Sequence, residues 1–279
     1  MNLLQIAILA TVQGAAELLP VSSSAHVIIT EKLMGLDPTA PDMTMLLVML
    51  HTGTMFAVLL YFWQSWKAAY FSSWQSFKRH FIAIGAATGA TSIVGLGLQY
   101  VIKHVFMGSN PGFEIEQLFG NTRLIGSALG AAGLLIIVSS IRPRPAGREL
   151  TTGASLLIGT AQGICLPFRG FSRSGATIST GLLIGIPRRK AEEFSFALAV
   201  ALTPAVIAKE TYRLFAAQPR LATHTNAWSA LTPGLLGMAL SFVAGLAALR
   251  WLSAWLESGR WHLFGVYCLA AAAFVLLAR

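Results

Sequence analysis

VQGAAELLPVSSSAH, residues 12–26, is a polar interruption in an otherwise apolar stretch of chain, and it has a counterpart in AQGICLPFRGFSRSG, residues 161–175. An offset of 149 pairs Gln13 with Gln162, Gly14 with Gly163 and Ser23 with Ser172. Pro, Gly and Ser of this density are tolerated at membrane depth only where protein or water covers the backbone. Outward from the two stretches, apolar runs near 41–64, 81–106, 121–141, 191–215, 229–251 and 260–279 reach the roughly 20 residues needed to cross a bilayer. Three runs follow each polar copy. Three is odd, so the second copy enters the membrane from the face opposite the first, and regions 1–40 and 142–190 return to the side they came from. The expected fold is an all-α integral membrane protein with six transmembrane helices and two re-entrant helical hairpins in an inverted-topology repeat. It forms a single membrane domain over residues 1–279, with repeat 1 at about 1–141 and repeat 2 at about 150–279. Inverted repeats bring such tips together near the bilayer midplane, where transporters place substrate.

Composition agrees with the bilayer and excludes other classes. With 55% hydrophobic and 11% charged residues and a mean hydropathy of +0.65, the chain is too apolar for an ordinary soluble domain. The net charge of +9 is spread over short loops, without the basic stripe and interleaved aromatics that nucleic acid requires, so no nucleic-acid partner is expected. Most Lys and Arg, including Lys67, Lys78, Arg79 and the run Arg188-Arg189-Lys190, fall on one side of the six-span topology. That side is the cytoplasmic one by the positive-inside bias, which leaves both termini outside. Cys165 and Cys268 sit in apolar surroundings and read as small hydrophobes. The first residues lack the basic segment and cleavage site of a signal peptide. No Walker loop, dinucleotide fingerprint or His/Cys metal spacing occurs, so nothing points to ATP coupling.

The chemistry lies in the two polar stretches. Gln13 and Glu17 stand four apart, on one helix face. An ionisable Glu17 inside the membrane reads as functional; pairing with an Arg is the structural alternative. After Pro20, the hydroxyls of Ser22, Ser23 and Ser24 and the amides of a new helix form a natural anion site. His26 follows Ser23 by three, giving a hydroxyl nucleophile with a neighbouring base, although a Ser/His pair also serves plain helix packing; Glu17 is the other base that could activate Ser23. The second stretch supplies a permanent cation, Arg173, whose planar fork matches two phosphate oxygens. Gly170 and Gly175 allow close approach, and Ser172, Ser174 and Thr177 add hydroxyls of the kind found in phosphate nests. His51, in Leu50-His51-Thr52-Gly53-Thr54, either lines the site or packs helices. Glu192 and Glu193 read as part of a charged helix start.

These motifs resemble the BacA/UppP family of integral-membrane undecaprenyl pyrophosphate phosphatases, marked by (E/Q)xxxE leading into PVSSxxH and by a later PGxSRSGxT. Here the marks read QGAAELLPVSSSAH, Gln13 to His26, and RGFSRSGAT, Arg169 to Thr177; the stretch Glu193–Val200 also matches the segment after the second mark. The resemblance spans the whole chain. It implies a six-span, two-hairpin fold in the bacterial inner membrane, a site open to the periplasm and a C55 isoprenoid pyrophosphate substrate. The hydrolysis it implies recycles the carrier lipid for peptidoglycan, an activity linked to bacitracin resistance. Position by position it places the nucleophile on Ser23, the histidine on His26, the second glutamate on Glu17, and the phosphate-binding arginine, serine and threonine on Arg173, Ser172 and Thr177. It also implies a divalent cation, Mg2+ or Ca2+, beside Glu17. Two positions depart from the family. Gln13 replaces a carboxylate, leaving one where the family offers the divalent cation two, and Arg169 stands where the family has Pro, adding a cation that either contacts phosphate or marks an altered substrate. The partners expected are a polyprenyl pyrophosphate and the membrane lipids, with a homodimer left open. The rival reading is a transporter that moves polyprenyl phosphate between leaflets without hydrolysis.

Overall fold

A computed structural model of the chain describes residues 2–36, 41–106, 121–141, 147–168, 170–217 and 227–277. Those residues are all-helical: α1 (Leu3–Leu18), α2 (Ser23–Leu33), α3 (Pro41–Tyr70), α4 (Trp74–Val101, continued by a π-turn Ile102–Phe106), α5 (Thr122–Ile141), α6 (Thr152–Cys165), α7 (Arg173–Leu183), α8 (Arg188–Ala217), α9 (Ala227–Glu257) and α10 (Trp261–Leu277). Among them, four stretches are long and apolar enough to cross a membrane: Met45–Tyr70, Trp74–Val105, Thr122–Ile141 and Thr232–Glu257. The apolar runs expected at 191–215 and 260–279 also form helices, but α8 opens on the charged run Arg188–Glu193, and α10 is only 17 residues long.

The two polar stretches fold alike. Each breaks a longer helix from a short one, α1 from α2 and α6 from α7, and both short helices have 11 residues. Both end in a Schellman turn around a left-handed glycine. At α2, Gly35 has φ 68°, with Leu36 N–H bonding Glu31 O at 2.9 Å. At α7, Gly185 has φ 89°, with Ile186 N–H bonding Gly181 O at 2.9 Å. Glycine adopts this conformation without the penalty a Cβ brings.

The contacts divide the chain into two compact units. The first contains Met1–Leu18, Ser23–Trp63 and Ala199–Leu252. Its core is Ile6, Leu9, Ala10, Val27, Met43, Leu46 and Leu50, all buried. In it, α1 lies against α9 at backbone distance, because a Cβ on Gly14 would come within 2.7 Å of Ser241 O and Ala244 Cβ. The second unit contains Leu19–Ser22, Gln64–Leu198 and Ser253–Arg279. There α6 packs on α4, where a Cβ on Gly163 would meet Thr91 O at 2.9 Å. Also in this unit, α5 packs on α10 at Gly133 and Gly265. Small residues are what allow such close approach when lipid supplies no hydrophobic drive between helices.

Candidate active site

The first unit carries a cluster centred on one carboxylate oxygen. Helical spacing stacks Gln13 under Glu17 on α1, and the turn after Leu18 brings the first residue of α2 back over them. Ser23 Oγ donates to Glu17 Oε2 at 2.6 Å. Gln13 Nε2 donates to the same oxygen at 3.3 Å. His51, from the middle of α3, places Nε2 3.7 Å from it. The other ring nitrogen, Nδ1, lies 2.8 Å from Leu47 O; a carbonyl only accepts, so Nδ1 carries a proton and Nε2 is the edge turned to Glu17. Gln13 is buried, Glu17 nearly so, and the His51 ring is part exposed. His51, given two readings by its sequence context, is thus a member of the cluster. Its signal was a histidine beside Thr and Gly inside an apolar run.

Of the two bases the sequence offers Ser23, Glu17 is the one whose oxygen receives its hydroxyl proton. A short O–H···O⁻ contact of this kind weakens the hold of the oxygen on its proton. His26 lies in the first turn of α2, part buried, with its carbonyl accepting from Thr30 Oγ1 at 2.7 Å. Ser22, just before Ser23, sits at φ 67° and is buried. A serine in the left-handed region stores strain of order 1 kcal/mol or more, and such residues gather at active sites. Arg169 and the side chain of Ser24 lie outside the described residues.

The second unit carries the other motif at the start of α7. Ser172 is the N-cap, its Oγ accepting from Gly175 N–H at 3.2 Å. Gly175 fits because a Cβ there would press on Ser172 Oγ at 3.2 Å and Ile136 Cδ1 at 3.0 Å. Arg173 is the first helical residue and is half-buried. Ser174 Oγ lies 3.4 Å from Ser172 Oγ and donates to Leu19 O at 3.3 Å. Within this unit, then, the turn Leu19–Ser22 of the first motif is held by the second; Cys268 Sγ holds it too, at 3.2 Å from Pro20 O. Thr177 Oγ1 donates back to Arg173 O at 2.9 Å and lies 2.6 Å from Ser195 Oγ on α8. Sequence reasoning noticed the stretch holding Ser195 but gave that residue no task.

The neighbours of Glu17 test the implied cation. What meets Oε2 is a hydroxyl proton, an amide NH2 and an imidazole edge, so two of the three present protons where a cation needs lone pairs. Mg2+ and Ca2+ require about six oxygen ligands. Among the described residues, no group of three or more His, Cys, Asp or Glu is placed to hold a metal. This is a carboxylate gripped by donors, and it does not fit a cation nest built by the chain alone.

The sequence profile of bacitracin resistance protein BacA matches residues 6–274. The chain belongs to the BacA family. Among its relatives is undecaprenyl-diphosphatase 2 of Acinetobacter baylyi, 61% identical over 99% of this chain and 98% of the relative. A protein of the same name from Burkholderia orbicola is 33% identical over 99% and 96% of the two chains. The undecaprenyl-diphosphatase of Rhodopirellula baltica is 29% identical over 99% and 98%.

Proposed function

We propose that this BacA-family chain is an undecaprenyl-diphosphatase, hydrolysing undecaprenyl pyrophosphate to undecaprenyl phosphate and inorganic phosphate. The observation that carries the chemistry is the 2.6 Å hydrogen bond from Ser23 Oγ to Glu17 Oε2. Ser23 Oγ attacks the terminal phosphorus as its proton passes to Glu17 Oε2. The bond from that phosphorus to the bridging oxygen breaks, and the lipid monophosphate leaves. Water then attacks the phosphoserine, Glu17 returns its proton to Ser23 Oγ, and phosphate departs. To the second motif we assign phosphate binding, through Arg173 and the amide end of α7; positioning with charge neutralisation is most of what phosphoryl transfer needs. His26 is the alternative proton carrier for the water step. No step is routed through a metal; a cation that takes part would bind mainly through the pyrophosphate itself.

The same reading places the protein in the bacterial inner membrane with six spans, α8 and α10 joining the four long apolar helices, and with α1–α2 and α6–α7 as re-entrant hairpins open to the periplasm. Support comes from the matched lengths of α2 and α7, their common Schellman ends and the parallel packing of Gly14 and Gly163. They support a repeat of about 1–141 and 150–279, which we read as inverted from the odd number of spans after each copy.

The test is phosphate release from undecaprenyl or farnesyl pyrophosphate by the purified protein, with and without chelator. Turnover is expected in the wild type, and Ser23→Ala should fall to background. Absence of turnover under every cation condition sinks the phosphatase and leaves lipid transport. Full activity of Ser23→Ala removes the phosphoserine and leaves direct attack by water.

A further inference from the structure

Ser195 lies in α8, within the Glu193–Val200 stretch to which the proposed reaction gives no work. It and Thr177 are buried, at 3% and 0% exposure, and their hydroxyl oxygens are 2.6 Å apart. Each hydroxyl has one proton to give. Thr177 Oγ1 also lies 2.9 Å from Arg173 O and 3.4 Å from Ser174 O, and both are carbonyls that only accept. Its proton therefore goes to a carbonyl, and the proton between the two side chains comes from Ser195. The result is a directed chain, from Ser195 O–H to Thr177 O–H to the carbonyl of Arg173.

A threonine that bonds back to the carbonyl four residues earlier competes with the helix's own amide and tends to bend the turn. Accepting a proton from Ser195 polarises the Thr177 hydroxyl and strengthens its grip on that carbonyl. The carbonyl belongs to the residue whose guanidinium is proposed to meet phosphate, in the first turn of α7. The rest of α7 is fastened elsewhere: Ser179 Oγ accepts from Trp261 Nε1 at 3.2 Å and Ser174 bonds Leu19 O. Of these ties, the one from α8 is the one that reaches the Arg173 backbone.

We infer that Ser195 is a positioning residue for the phosphate-binding end of α7, acting through Thr177 on the backbone of Arg173. The inference rests on the proposed role of the second motif as the pyrophosphate clamp. It assigns to α8 a share in substrate affinity although Ser195 itself does not touch the lipid.

A double-mutant cycle of Ser195→Ala and Thr177→Val, with farnesyl pyrophosphate as substrate, tests it. Ser195→Ala is expected to lower kcat/KM about 5- to 10-fold, the size of one lost buried hydrogen bond, mostly through KM. Thermal unfolding in detergent should stay close to wild type. The double variant should match Thr177→Val alone, because the effect passes through one hydroxyl. Ser195→Cys, close in shape and a weak donor, should recover part of the loss. Wild-type KM in Ser195→Ala, or losses that multiply in the double variant, overturns the inference. Failure of the phosphatase reading would show instead as an inactive wild type. Calorimetric binding of farnesyl pyrophosphate then decides the point: affinity weakened 5- to 10-fold in Ser195→Ala supports positioning, and equal affinity overturns it.

Discussion

The hairpins α1–α2 and α6–α7 share a scaffold and differ in what their polar groups do. At the offset of 149, Ser23 and Ser172 are equivalent, yet Ser23 gives its proton to Glu17 while Ser172 lends its oxygen to the amide of Gly175. Gln13 and Gln162 are equivalent and both buried, but Gln13 turns its amide to Glu17 and Gln162 turns its own to Thr91 Oγ1 at 3.2 Å. Where the first hairpin has Glu17, the second has Leu166. One carboxylate separates a turn whose donors meet an acceptor from one whose hydroxyls cap a helix. In the first, donors converge on a proton acceptor; in the second, the same residue types are spent holding a helix end that presents Arg173.

If that contrast is right, the largest effect comes from removing the carboxylate. Glu17→Gln should lower kcat by about 1000-fold or more, the upper part of the range for a general base, with near-normal folding; loss below tenfold in phosphate release would transfer the base to His26. Next is Arg173→Lys, which keeps the charge and loses the fork. A fall in kcat/KM on the order of 30- to 100-fold is expected from the lost charged hydrogen bonds, and an unaffected enzyme would mean the second hairpin holds phosphate by other groups. His51→Leu takes from Glu17 a part-exposed neighbour at 3.7 Å, longer than a hydrogen bond, and should cost about 2- to 5-fold in kcat, with His51→Gln recovering part, as steady-state kinetics would register. The smallest effect tests rigidity. Ser172→Ala strips the α7 cap and should destabilise by about 1 kcal/mol in a denaturation series, whereas no change would show that the cap is not what fixes the helix end.

The fold was legible where periodicity and length speak loudly. The apolar runs at 41–64, 81–106 and 121–141 became α3, α4 and α5, and the polar stretches became paired short helices broken at Pro20 and after Cys165. The run 260–279 was less clear, because α10 ends at Leu277 after 17 residues and hydropathy alone does not separate so short a helix from a span. In the site, Glu17 over Gln13 followed from helical spacing. The choice between Glu17 and His26 did not, because it depends on how the turn at Leu19–Ser22 folds Ser23 back over α1, and that turn contains a serine in a conformation serine rarely adopts. The parts played by His51 and Ser195 depend on contacts between helices distant in sequence, which no local pattern encodes.

The short contact between Ser23 and Glu17 also has a pharmacological side. A serine whose proton already leans on a carboxylate is primed toward any tetrahedral electrophile, not only a pyrophosphate. Fluorophosphonates carrying a prenyl tail should label Ser23 and leave Ser172 untouched, since the oxygen of Ser172 is engaged in capping α7. The feature that prepares this enzyme for its lipid would then also be where a covalent inhibitor takes hold.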